Sequence, residues 1–83
     1  MNITISQHAR ERMAERGVLE SEVNFAIQNG ERFSAKFGRI GFRCNFSYDD
    51  FWNGKKYGCK QVEVLAVDDA AGWIVATVLA KYF

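Results

Sequence analysis

The stretch Val62–Ala80, VEVLAVDDAAGWIVATVLA, reads as two alternating strands joined by a turn. Asp69-Ala70-Ala71-Gly72 opens on Asp and closes on Gly, the preference of a type I turn. That turn pairs Ala66 with Ala76, Val64 with Val78 and Val62 with Ala80, all apolar. Working upstream, Phe51-Trp52-Asn53-Gly54 fits a type I turn with Gly54 as a left-handed bulge residue. It pairs Cys44 with Val62, Phe42 with Val64 and Ile40 with Ala66. Gly38-Arg39 fits a two-residue type II′ hairpin, pairing Phe37 with Ile40, Ala35 with Phe42 and Phe33 with Cys44. The three turns together place one continuous apolar set on one face, and a slip of one residue at any of them would mix the faces.

The opposite face follows from the same register. It holds Arg32, Ser34 and Lys36, then Arg43 and Asn45, then Gln61 and Glu63, then Thr77, with Leu65, Val67 and Leu79 among them. Arg43 falls opposite Glu63, Asn45 opposite Gln61 and Thr77 opposite Leu65. A sheet of this size needs its apolar face covered. Two helices are available for that. The first is SQHARERMAERG, Ser6–Gly17, with Ser6 as a side-chain N-cap and Gly17 as the left-handed stop. The second runs from about Glu20 to Asn29, with Leu19, Val23, Ala26 and Ile27 on one face and Glu20 and Glu22 in the first turn. Asn2–Ile5 reads as a short first strand. The fold class is α+β, with both helices on one face of an antiparallel meander.

The 83 residues make one domain, 1–83. A net charge of +1 gives no global footprint for nucleic acid, so any basic surface must come from clustering. Two cysteines and one histidine do not supply a structural zinc site, and no cofactor or metal is expected. Cys44 and Cys59 fall on opposite faces, which predicts free thiols. The longest apolar run, Trp73–Ala80, is too short to span a bilayer, and no apolar leader is evident. The expected setting is cytoplasmic and away from membranes, for a monomer or weak homodimer.

Chemistry concentrates on the first helix. His8, Arg12 and Arg16 are each four residues apart and form one slowly drifting stripe beside Ala9 and Met13. Metal-free RNA cleavage needs groups that move protons and cations that stabilise the charged phosphorane. Imidazole and carboxylate supply the first and guanidinium the second. His8, Arg12, Arg16, Arg43 and Glu63 are therefore chemically sufficient for a small ribonuclease. His8 and Glu63, however, belong to opposite sides of the sheet in this register, and Arg43–Glu63 reads equally as a structural cross-strand ion pair. Arg32, Lys36 and Arg43, with Lys55 and Lys56 at the tip, form a candidate nucleic-acid track. The tip SYDDFWNGKKYG, Ser47–Gly58, offers aromatics that either stack on bases or fold back on the sheet.

The segments SQHARERMAERGV, SEVNFAIQNGE and VEVLAVDDAAGWIVATVLA resemble a widespread bacterial family, domain of unknown function 4258. Its pattern corresponds to His8, Ala9, Arg12, Met13, Glu15, Arg16, Gly17, Val18 and Thr77; Leu19 departs where the family often has a Ser or Thr cap. The family is similar to RelE/ParE-type toxins, grouped with barnase-like ribonucleases. The resemblance implies a β-α-α-β-β-β-β domain, an RNA substrate, an antitoxin partner, and functional roles for His8, Arg12, Arg16 and Thr77. Non-catalytic binding modules and gyrase-directed toxins remain the competing readings.

Overall fold

A computed structural model describes residues 2–83. Strand β1 (Asn2–Ile5) leads into helix α1 (Gln7–Arg16), and helix α2 (Glu20–Asn29) follows after a three-residue link. Strands β2 (Glu31–Ser34), β3 (Ile40–Trp52), β4 (Lys55–Asp69) and β5 (Gly72–Tyr82) complete the chain. The sheet order is β1-β5-β4-β3-β2. The sheet is mixed, not wholly antiparallel: β1 pairs parallel to β5, Asn2 with Gly72 through Ile5 with Val75. The helical hairpin is the crossover that lets the chain leave β1 and return through β2–β4 to its neighbour.

The α1 boundaries follow their chemistry. Ser6 Oγ accepts from the Ala9 N–H at 3.1 Å. Gly17 closes the helix at φ 69°, where a Cβ would lie 2.6 Å from the Trp52 ring. At α2 the Leu19 cap has no side-chain oxygen, and Glu22 supplies half of a capping box by accepting the Leu19 N–H at 2.9 Å. Both helices lie on one face of the sheet. Ala9, Met13, Val23, Ala26 and Ile27 bury against Phe42, Val62, Val64, Ala66, Val75 and Val78. At about 25 cal/mol per Å² of apolar surface this contact is the main source of stability.

The central register is as the turns predict: Cys44 pairs with Val62, Phe42 with Val64, Ile40 with Ala66 and Arg43 with Glu63. Val62 pairs with Ala80 and Val64 with Val78. Three local corrections are needed. The β3–β4 turn is the two-residue Asn53-Gly54, both at positive φ (51° and 83°), with Trp52 opposite Lys55. This type I′ geometry matches strand twist better than the four-residue turn. The extra residue is absorbed by a bulge between Ser47 and Asp50, where Asp49 takes φ 45°. The last turn is the expected one, Ala70-Ala71 with Asp69 opposite Gly72, but a bulge pairs Ala66 with Val75 instead of Ala76. The bulge sends fully buried Val75 into the core.

The third correction concerns β2. Ser34 pairs with Ile40, Phe33 with Gly41 and Arg32 with Phe42, so the Phe33–Cys44, Ala35–Phe42 and Phe37–Ile40 pairs do not form. The chain reverses through a single tight turn at Lys36–Gly38, with Phe37 and Gly38 both left-handed (φ 63° and 70°). The physical reason lies at Gly41. Phe33 crosses to the open face and lays its ring where a side chain would stand; a Cβ on Gly41 would be 2.2 Å from Phe33 Cζ. The Arg43 guanidinium then covers that ring at 4.5 Å. Arg32 moves to the helix side, over Trp73 at 5.2 Å. Phe37 is left 87% exposed at the turn.

Candidate functional site

Helix α1 lies along β5, and its stripe forms an outer rim. Arg16 Nη1 donates to the Val78 carbonyl at 2.7 Å. That carbonyl points away from β4. Cys59 and Phe83 exchange both backbone hydrogen bonds. By alternation Val78, Ala80 and Tyr82 therefore direct their N–H and C=O groups to the outer edge of the sheet. One turn back, Arg12 pairs with Glu15 at 3.0 Å, while its buried Nε has no partner among the described residues. Another turn back, His8 is exposed and makes no hydrogen bond to the described residues. Arg16 has no acidic partner among them.

The end of α1 is held from below by residues that the sequence reading did not single out. Tyr82 Oη donates to the Arg16 carbonyl at 2.6 Å, and Lys60 Nζ donates to the Gly17 carbonyl. These groups satisfy carbonyls that a helix end leaves orphaned, and the ammonium suits the negative end of the dipole. Lys60 is only 3% exposed and also pairs with Glu22 at 2.7 Å. One carboxylate thus caps α2 and neutralises a buried cation. Trp52 stacks on Tyr82 at 4.8 Å, with Tyr48 edge-on at 5.1 Å. The tip aromatics therefore fold back on the sheet end, and Phe51 stays exposed. The missed signal was parity: Lys60 shares the face of Val62 and Val64, so a charge there had to be paired.

Burial, with Tyr48 and Glu22 nearby, pushes the Tyr82 phenol up to about 12. The neutral phenol is the form that donates to Arg16. Its contribution to stability should be complete below the ordinary tyrosine value of about 10 and be lost as pH rises through about 12. Phenolate absorbance should show one late-titrating tyrosine, and Tyr82→Phe should remove that step. A Tyr82→Phe titration with the late step intact would reject the assignment.

The remaining predicted residues do not join this rim. Glu63 and Thr77 lie on the face away from the helices, Glu63 opposite Arg43 and Thr77 opposite Leu65. Arg43 spends its fork on Glu63 and Glu31, both at 2.9 Å, and the carboxylate hydrogen bond of Glu63 holds its pKa raised. Lys36 sits at the turn before β3, and Lys55 and Lys56 lie beyond its far end. Thirteen strand residues, about 40 Å at 3.3 Å each, separate the two ends. Lys56 also pairs with Asp49 at 3.6 Å. Arg32, Lys36, Arg43, Lys55 and Lys56 are thus dispersed and do not form one track. Both cysteines are free, and burial pushes the Cys44 thiol up. A hollow of about 180 Å³ on the open face is lined by Gln61, Glu63, Leu79, Ala80 and Lys81. Among the described residues, no helix is long and apolar enough to cross a membrane.

No curated protein and no solved structure matches the chain. The His8–Arg12–Arg16 rim, the helical hairpin and nearly all of the sheet fall within one family match, over residues 5–80. The chain belongs to the family described as domain of unknown function (DUF4258).

Proposed function

We propose that the chain is a metal-independent ribonuclease of the toxin type, working from the outer rim of α1 with a RelE-like layout. The observation that carries this reading is the rim itself: one solvent-exposed imidazole and two guanidiniums share one edge, and Arg16 is unneutralised by any described acid. In the proposed reaction His8 takes the proton of the ribose 2′-hydroxyl, whose oxygen attacks the adjacent phosphorus. The bond to the 5′-oxygen breaks, and that oxygen takes a proton from water. Arg12 and Arg16 face the charge that develops on the phosphorane. The products are a 2′,3′-cyclic phosphate and a 5′-hydroxyl end.

A specific observation also supports a second reading, a binding module without catalysis. Glu63, the other proton-transfer group, is across the sheet from His8. Incubating the purified chain with single-stranded RNA in excess chelator separates the two. Cleavage leaving cyclic phosphate ends supports the ribonuclease. Retention of intact RNA, with affinity falling steeply with salt, supports the binding module.

Glu63 has a structural role in both readings. Glu63→Gln should leave any RNA cleavage unchanged and lower the melting temperature only slightly, as expected for a partly exposed ion pair. Parallel cleavage and melting measurements check this. A collapse of cleavage in a stable Glu63→Gln protein would return that carboxylate to the site.

A further inference from the structure

We infer that the outer edge of β5, beneath the α1 rim, is a docking edge for an extended acidic peptide segment of a protein partner, which adds a strand to the sheet. The inference stands on backbone geometry and does not depend on RNA cleavage. β1 covers β5 only from Gly72 to Val75, so among the described residues no strand pairs the outer side of those that follow. Ser6 Oγ donates to the Ala76 carbonyl at 3.3 Å, and Arg16 occupies the Val78 carbonyl. Beyond them Ala80 and Tyr82 present two N–H and two C=O groups in the spacing of a strand edge. Exposed edges of this kind are templates for strand addition unless they are blunted.

Charge selects the occupant. An added strand alternates its side chains between the two faces. On the helix side they would meet Arg16 and, one and two turns away, Arg12 and His8. On the other side they would meet Leu79, which is 41% exposed, and the stem of exposed Lys81. Acidic residues alternating with apolar ones fit both. A second copy of this chain does not, because antiparallel pairing about Ala80 would bring two arginine rims against one edge. On the opposite side of the sheet, the part of β3 that β2 leaves uncovered is less suited, since it is bulged beyond Ser47 and carries Asp49 and Asp50 there.

The test uses the full ¹⁵N-labelled chain and a capped heptapeptide of alternating valine and glutamate. Binding should shift the Ala80 and Tyr82 amides and slow their hydrogen exchange at least tenfold at saturation. The same peptide with glutamine for glutamate should bind at least tenfold more weakly. A peptide N-methylated along one edge should lose binding, and Arg12→Gln should weaken the acidic peptide several-fold. Unmoved β5 amides would overturn the inference, leaving Arg16 as an edge guard alone. Equal affinity of the glutamine peptide, or sedimentation showing that the chain itself pairs through these amides, would overturn it as well.

Discussion

Replacing Lys60 by Ala is expected to lower the melting temperature by roughly 12–40 °C. That range takes about 3–5 kcal/mol for breaking a buried ion pair and about 4–8 °C per kcal/mol in a domain of this size. The ammonium is 3% exposed and donates to both the Glu22 carboxylate and the Gly17 carbonyl. It also stands 5.8 Å from the ring centres of Tyr48 and Tyr82. Truncation therefore does three things together. It leaves the Glu22 carboxylate, 14% exposed, without its cation. It orphans a carbonyl at the end of α1, and it opens a cavity under the helical turn. Pairing Lys60→Met with Glu22→Gln distinguishes the charge from the space. The methionine fills the stem's volume and the glutamine needs no counter-ion, so the double variant should regain most of the loss. Thermal unfolding of the two single variants and the double variant measures the coupling directly. A Lys60→Ala protein that melts within a few degrees of the parent would show that α1 is held by Arg16 and Tyr82 without it.

The same position shows what the sequence made legible. Alternation fixed the centre of the sheet, because every residue from Ile40 to Cys44 and from Val62 to Ala66 has a face that only one register satisfies. That alternation also places Lys60 inside, yet a single strand cannot say which element brings the counter-charge. Glu22 arrives from α2, 38 residues earlier in the chain, where it reads simply as an acid in a first turn. Turn lengths were less legible for a different reason. An extra residue can be housed either in a turn or in a bulge, and the pairing on the far side is unchanged. Asn53-Gly54 took the shorter turn and left its surplus at Ser47–Asp50. The β2 error was readable in principle. A glycine inside a strand marks a close approach, and Gly41 receives the Phe33 ring. The stripe on α1 was fully legible, since it needs only helical spacing. Its relation to the β5 edge was not, because that depends on β1 pairing parallel with β5 for four residues and then stopping.

Under the proposed ribonuclease reading, replacing His8 by Gln is expected to reduce RNA cleavage by about 10²–10⁴-fold, the usual contribution of a positioned proton-transfer group. Stability should stay within about 0.5 kcal/mol of the parent, as for a surface substitution that breaks no network. The structure makes that separation clean. His8 is exposed and bonds to none of the described residues, so glutamine removes proton transfer without removing a structural contact. The arginines behave differently and serve as internal controls. Arg12→Ala should weaken both RNA binding and rate, because in the proposed reaction its guanidinium faces the phosphate in either step. Arg16→Ala should do the same while also costing about 1 kcal/mol for the lost hydrogen bond to Val78. RNA affinity gives the decisive comparison. If His8 acts on the 2′-hydroxyl proton alone, His8→Gln binds RNA as the parent does and fails only in turnover. Equal losses of binding and rate would make His8 a phosphate contact. A stable, fully active His8→Gln protein would remove the imidazole from the reaction, and with it the acid–base case for cleavage at this rim.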